Sequence, residues 1–299
     1  MQKTQKYPLV VIVGQTASGK TALSIELAKA LDGEVISADS RQVYKELNLI
    51  SGKVTKEEMQ SVPHHLLDVL SLKDGAYSAY DFARGARLAI LDIIKRDRLP
   101  IIAGGTGFYI DAALGKVELG QKGKDFKLRD KLEKESSEEL FRKLQKLDPK
   151  RADKIDKNNK RRLIRAIELA SGSKEGEALP ELPELDVVWI GLRWGKETLR
   201  ERIKQRLKER FECGMCSEIK SAMESKVGES FIESLGLEAK YCLYFLKGEL
   251  VEQDFLQTLE NKIWQYAKRQ ATYWRRNKDI KWFEASDFDA ILEYVKRVL

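Results

Sequence analysis

The sequence predicts an α/β fold, a doubly wound parallel sheet interrupted by a helical insertion. Three observations predict it. Short apolar runs alternate with amphipathic stretches over residues 1–115, the pattern of strands joined by helical crossovers. The first run leads directly into Gly14-Gln15-Thr16-Ala17-Ser18-Gly19-Lys20-Thr21, a G-x-x-x-x-G-K-[ST] loop between strand and helix. Beyond Gly115 the alternation gives way to almost unbroken helical periodicity, and an apolar strand returns only at Val187.

Each element follows from its residues. Leu9-Val10-Val11-Ile12-Val13 is apolar throughout, as a strand buried on both faces must be. The helix after the loop carries Leu23, Ile25, Leu27, Ala28 and Leu31 as its apolar positions. Residues 34–38 and 100–103 are the next two strands, with a long helical pattern at 79–95 before the latter. Glycines let successive loop N–H groups turn inward around an anion, and the helix start adds its positive end. Lys20 supplies a mobile charge, and the Thr21 hydroxyl is placed to coordinate Mg²⁺. The core is thus P-loop NTPase-like. Residues 125–170 carry Leu128, Leu132, Leu140, Leu144, Leu147 and Ile155 at helical spacing, and the looser 171–184, with two prolines, reads as a linker. The expected division is a core of residues 1–117 and 186–299, with 118–185 inserted. A last short strand is expected at 280–283.

The chain has 299 residues, 42% hydrophobic and 34% charged, enough for one large domain or two modest ones. No apolar run approaches a membrane span. The first residues lack the apolar stretch of a signal peptide, so a cytoplasmic location is expected. Cys213 and Cys216 form a lone C-x-x-C and Cys242 stands apart, which favours ordinary reduced thiols. The only histidines are His64 and His65, which excludes a multi-histidine metal site. The net charge of +7 is concentrated: residues 121–170 hold 17 Lys/Arg against 10 Asp/Glu, and residues 262–278 hold six Lys/Arg and no acid. Two basic blocks beside a polyphosphate loop point to nucleic acid, although a solvated helix surface also carries such runs.

Each of the three apolar strands ends in polar or glycine-rich sequence. After the second comes Asp39-Ser40-Arg41-Gln42, where a carboxylate at a strand's carboxyl edge is placed to accept a substrate proton; the same carboxylate is equally suited to capping a helix N-terminus. After the third comes Gly104-Gly105-Thr106-Gly107-Phe108-Tyr109, whose glycines allow close backbone approach to a ligand. No apolar strand ends in the Asp of a motor-type nucleotidase, which weakens a hydrolytic reading. In the helix over 197–211, Arg202, Arg206 and Arg210 recur every four residues along one stripe. Arg202 and Arg206 are read as phosphate contacts and Arg210 as solvated. Near the C-terminus Ile263, Ala267, Ala271 and Trp274 form a buried stripe. Lys268, Thr272, Arg275 and Arg276 fall opposite, as suits a nucleic-acid backbone.

These motifs, in this order, resemble the tRNA dimethylallyltransferase family, also called tRNA isopentenyltransferase or IPP transferase. The likeness rests on the phosphate loop, Asp39-Ser40-Arg41-Gln42, Pro63-His64-His65-Leu66-Leu67-Asp68, the Gly104–Tyr109 run, Arg161-Arg162-Leu163-Ile164-Arg165-Ala166-Ile167-Glu168, Arg202-Ile203 and Ala267-Lys268-Arg269-Gln270-Ala271-Thr272. The resemblance implies that the loop holds the diphosphate of dimethylallyl diphosphate, the prenyl donor, rather than ATP. It implies that Asp39 is the base for the adenine N6 amine and that Thr106 lies near the reacting centre. It gives Arg202 and Arg206 to the leaving diphosphate, with Lys20, and Mg²⁺ to Thr21. The tRNA-contacting segments it implies are Asp39, Ser40, Arg41, Gln42, Thr106, Arg129, Arg161, Arg162, Leu163, Ile164, Arg165, Lys268, Arg269, Gln270, Thr272 and Arg275.

The acceptor so implied is adenosine 37 in the anticodon stem-loop of tRNA, with no membrane, no obligate protein partner and a monomeric enzyme. The chain departs from the family pattern in several places. Gln15 replaces a proline, Ser234-Leu235-Gly236-Leu237-Glu238 replaces Ala-Ile-Gly-Tyr-Arg/Lys, and Lys208 stands where an aspartate is common. The insertion is short, and the C-terminal zinc finger of eukaryotic members is absent, which points to a bacterial or organellar form. Three competitors stay open at the level of residues: a P-loop small-molecule kinase, a relative that prenylates AMP, and a non-catalytic RNA-binding protein switched by nucleotide. The kinase leaves the basic blocks unexplained, the AMP enzyme leaves the basic insertion unexplained, and the switch leaves Asp39 beside Lys20-Thr21 unexplained.

Overall fold

The computed structural model describes residues 6–117, 119, 126–171 and 177–299. Gly172-Ser173 of the expected linker, the head of the basic stretch at 121–125 and the first five residues therefore lie outside the described residues. The chain divides into two compact units, Met1–Val117 with Pro180–Leu299, and Glu118–Leu179. The smaller unit ends at Leu179, a few residues before the expected 185. The Tyr7 N–H donates to the Glu184 carbonyl (2.9 Å) and Arg87 to that of Pro180 (3.0 Å), which ties residues 180–184 to the larger unit.

In the larger unit β1 (Tyr7–Gly14) leads to α1 (Lys20–Ala30) and β2 (Gly33–Ser37). A largely irregular stretch holding α2 (Lys56–Met59) and β3 (His64–His65) comes next, then α3 (Ala79–Lys95), β4 (Leu99–Ala103) and α4 (Gly107–Ala113). Ser78 starts α3 through a capping box, its hydroxyl accepting from Asp81 N while the Asp81 carboxylate accepts from Ser78 N. The smaller unit comprises α5 (Phe126–Leu132), α6 (Ser137–Leu147), α7 (Pro149–Ala152) and α8 (Lys160–Ala170). The chain returns through β5 (Leu185–Arg193), α9 (Lys196–Glu212), α10 (Met215–Glu224), α11 (Glu229–Ser234), α12 (Leu237–Leu246) and α13 (Glu252–Trp274), ending in β6 (Lys281–Glu284) and α14 (Phe288–Val298). The last strand starts one residue later than expected because Ile280 turns into the core instead.

Among the described residues the sheet has strand order β3-β2-β4-β1-β5-β6, every pairing parallel. Alternation within β1 explains its unbroken apolar run. Leu9, Val11 and Val13 pack towards α3 and α4, while Val10 and Ile12 pack towards α1 and α14. The crossovers from β1 and β4 leave in opposite directions, to β2 and to β5. The crevice beyond their carboxyl ends is therefore a topological switch point, where open α/β sheets bind ligands. A third core joins Val43, Tyr44, Leu47 and Ile50 of the irregular stretch to α9–α13.

The smaller unit has its own core of Leu132, Leu140, Leu144, Ala152, Leu163, Ile164, Ala166 and Ile167. Leu147, expected among its apolar positions, is 50% exposed at the end of α6. Leu163 and Ile164, which the resemblance gave to a tRNA-contacting segment, have their side chains buried in this core.

Candidate active site

The phosphate loop is shaped by the strand beside it. Gly14 has φ +150, and a Cβ there would lie 2.6 Å from the Leu192 carbonyl of β5. Gly19 takes the left-handed φ of +95 needed to enter α1. Lys20 curls back over the loop, its Nζ 2.6 Å from the Gln15 carbonyl and 3.5 Å from Ser18 Oγ. Its pKa is lowered to about 8, first by burial and then by Arg206, against the opposing pull of Asp39. The Thr21 side chain is exposed on the first turn of α1.

Two helices grip the outside of this loop. From the α9 side, Arg202 donates to the Ala17 carbonyl (2.9 Å) and the Trp194 indole to that of Ser18 (3.2 Å). The Arg202 guanidinium lies 5.0 Å from the Trp194 ring centre. From α13, Gln270 accepts from Thr16 N (2.7 Å), and Gln15 donates to the Ala267 carbonyl (3.1 Å). Arg206 donates to the Gly52 carbonyl (3.2 Å), and burial lowers its pKa. A small cavity against Thr16 and Ala17 is lined by Arg206, Arg210 and Glu238. The reading of Arg210 as solvated is corrected: its side chain is 12% exposed, donates to the Leu49 and Ile50 carbonyls and pairs with Glu238 at 3.5 Å.

The ends of β2 and β4 meet across the same crevice. Ala38 N donates to the Ala103 carbonyl (2.8 Å), Thr106 N to that of Ala38 (3.2 Å) and Gly104 N to that of Ile12 (3.2 Å). Asp39 Oδ1 accepts from Arg41 N (2.8 Å) and Gln42 N (3.4 Å), and Thr106 Oγ1 accepts from Ser40 N (3.3 Å). The Gln42 side chain bonds Ser37 Oγ (2.8 Å) and the Gly52 carbonyl (3.2 Å), which holds it within the protein. Arg41 donates to the Ser234 carbonyl (3.0 Å), so the altered Ser234–Glu238 segment docks it.

The glycine run after β4 is also explained by protein. A Cβ at Gly104 would meet the Ala38 carbonyl at 2.2 Å, one at Gly105 the Gln270 amide nitrogen at 2.4 Å, and one at Gly107 the Tyr273 ring at 2.2 Å. These glycines therefore also serve the close packing of Ala38 and of α13 against this turn.

Of the expected tRNA residues, Lys268, Arg269, Thr272 and Arg275 are exposed along α13. Thr272 accepts from Arg275 at 2.9 Å and donates to the Lys268 carbonyl at 3.0 Å. Gln270 lies opposite, 6% exposed, in the stripe where Ala271 was expected. In the smaller unit Arg161 and Arg162 are exposed. Arg129 makes a two-point pair with buried Glu168 (2.6 and 2.7 Å), which Arg165 joins at 2.9 Å. Trp194 was missed by motif reading, because an isolated aromatic residue in a strand-to-helix turn carries no local signal. Glu34 was missed too. It is 1% exposed at the opposite end of β2, bonded to His65 at 2.7 Å and to Arg96 and Arg98. Those bonds hold its carboxyl down to about 2, Arg96 contributing most. Pro63-His64-His65 thus builds the edge of the sheet.

A model of the IPP transferase family matches residues 42–277. The chain is 39% identical over 287 residues to tRNA dimethylallyltransferase 2 of Shewanella sediminis, covering 94% of this chain and 95% of that one. It is 41% identical to tRNA dimethylallyltransferase 2 of Syntrophotalea carbinolica, with 90% of each covered. Among solved structures, full-length tRNA isopentenylpyrophosphate transferase from Bacillus halodurans superposes with a TM-score of 0.73 at 36% identity, covering 98% and 95% of the two chains. A eukaryotic dimethylallyltransferase acting on tRNA superposes with a TM-score of 0.77 at 27% identity, covering 95% of this chain and 75% of that one.

Proposed function

Because the chain belongs to the IPP transferase family, we propose that it is a tRNA dimethylallyltransferase. It moves the dimethylallyl group of dimethylallyl diphosphate to N6 of adenosine 37, beside the anticodon, and releases diphosphate. The observation that carries this reading is the convergence of three strand ends. The phosphate loop, Asp39 and Thr106 follow β1, β2 and β4, which are hydrogen-bonded neighbours, and Lys20 feels both Arg206 and Asp39.

The proposed step forms the N6–carbon bond as the carbon–oxygen bond to diphosphate breaks. An exocyclic amine is a weak nucleophile, and Asp39 takes its proton as the new bond forms. One Asp39 oxygen is occupied by two backbone N–H groups, which fixes the carboxylate while its other oxygen serves the amine. Diphosphate leaves with its charge met by loop N–H groups, Lys20, Arg202 and Arg206. When bound, Mg²⁺ adds further charge neutralisation at the diphosphate. The exposed Thr21 hydroxyl would hold it. A lone hydroxyl donor suits an ion carried largely by phosphate and water. The target base leaves its stack to enter the crevice, while exposed Lys268, Arg269, Thr272 and Arg275 meet the tRNA backbone. We place the reaction in the cytoplasm and assign it to a monomer. Among the described residues no helix is long and apolar enough to cross a membrane.

Mass spectrometry of nucleosides from unmodified tRNA incubated with the protein, dimethylallyl diphosphate and Mg²⁺ tests this. An adenosine heavier by one dimethylallyl group, mapped to position 37, is the expected product. Unmodified nucleosides here, with ADP formed in a parallel incubation that supplies ATP and a small-molecule acceptor, would instead mark a kinase.

A further inference from the structure

Gln270 belongs to the basic stretch of α13, yet its side chain faces inward, 6% exposed. Its two polar atoms reach the two halves of the site. Oε1 accepts from Thr16 N in the phosphate loop at 2.7 Å, and Nε2 donates to the Gly105 carbonyl at 3.1 Å. Gly105 immediately precedes Thr106, whose hydroxyl accepts from Ser40 N beside Asp39. One primary amide therefore spans the donor loop after β1 and the acceptor turn after β4. Neither bond is a pairing of regular secondary structure, and a primary amide supplies an acceptor and a donor from one planar group without depending on pH. Gly105 has no space for a side chain because the Gln270 amide occupies it.

We infer that Gln270 is a positioning residue that fixes the separation between the bound diphosphate and the adenine-accepting turn. This rests on the proposed prenyl transfer, because only a reaction between two bound substrates needs that separation held. Both polar atoms of the Gln270 amide are taken up by the protein, one by the loop and one by the turn. The basic and hydroxyl residues that meet tRNA lie on the outer side of the same helix, so tRNA held by Lys268 and Thr272 is referenced to the loop through the residue between them. Transfer between two held reactants is steeply sensitive to their separation, and a misplacement of about 1 Å costs on the order of 10²-fold in rate.

The test perturbs the bridge from both ends. Gln270→Met keeps length and apolar volume but removes both hydrogen bonds. Gly105→Ala leaves Gln270 intact but places a methyl where its amide nitrogen sits. Single-turnover transfer is measured by rapid quench at saturating substrates, with donor and tRNA dissociation constants measured separately, well below each variant's melting temperature. Both variants are expected to transfer about 10- to 100-fold more slowly, with each dissociation constant within about threefold of wild type. The double variant is expected to be no slower than the slower single one, since both break one bridge. A merely structural role predicts multiplying losses, or losses carried by the dissociation constants. Either result, or Gln270→Met transferring within threefold of wild type, overturns the inference. If wild-type protein itself transfers nothing to tRNA, the proposed function fails instead, and the two failures are distinct.

Discussion

At the residue scale the proposed chemistry rests on Asp39 and Lys20. Sequence alone left Asp39 open between base and helix cap; the structure shows a turn cap and no helix cap, one oxygen accepting from Arg41 N and Gln42 N while the next helix, α2, begins only at Lys56. A cap alone predicts that Asp39→Asn is silent, because Asn caps nearly as well. A base predicts a fall of about 10²–10⁴ in single-turnover transfer, with tRNA affinity nearly unchanged in filter binding. A rate within a few-fold of wild type would leave Asp39 only its capping role. Lys20 sets a pH dependence. Its pKa is pushed down to about 8, chiefly by burial. The free site therefore loses this charge as pH rises through 8, whereas bound diphosphate favours the charged form. Donor binding should take up a proton above pH 8 and weaken by up to tenfold per pH unit, and Lys20→Met should bind weakly with a flatter profile. Calorimetric titrations from pH 7 to 9.5 read this directly; a flat wild-type profile would show that Lys20 is not neutralised in the free site.

At the scale of elements, the helices that carry basic motifs each divide their labour between two faces. On α8, Leu163 and Ile164 are packed inside the smaller unit while Arg161 and Arg162 face out. Replacing Arg161 and Arg162 together by alanine should weaken tRNA binding and reduce the salt slope of log affinity by about 1.4–1.8, at unchanged melting temperature. Leu163→Ala should instead cost about 2–5 kcal/mol of stability, visible as a lower melting temperature of the smaller unit. An unchanged salt slope in the arginine variant would move the tRNA surface elsewhere. The strands were legible because burial on both faces demands continuous apolar sequence, and α3 because its capping box and 3.6-residue period agree. The irregular stretch between β2 and α3 was not legible, because its bonds run to distant side chains. Glu218 of α10, for instance, accepts from the backbone N–H groups of Asn48, Leu49 and Ile50. Arg210 was misread for the same reason: a polar side chain on a helix looks solvated until its partner, far along the chain, is known.

For the whole molecule, a P-loop α/β unit holds the chemistry and a helical unit with its own core is spliced between Val117 and Pro180. The loop, Asp39 and Thr106 could be found from sequence because each directly follows a strand; the bridge that relates them could not, since it needs α13 folded back on two turns. Replacing residues 118–179 by a short Gly/Ser bridge should leave a folded protein that binds dimethylallyl diphosphate with near wild-type affinity but has lost tight, salt-sensitive tRNA binding. Retained binding would show that the second basic block on α13 suffices. We propose that one crevice transfers a prenyl group from diphosphate to tRNA. Labelled dimethylallyl diphosphate followed in a single reaction containing tRNA, AMP and Mg²⁺ reads this transfer directly. One label should be recovered in tRNA for each diphosphate released, and none in AMP; label in AMP, or diphosphate released without label in tRNA, would overturn the proposed transfer.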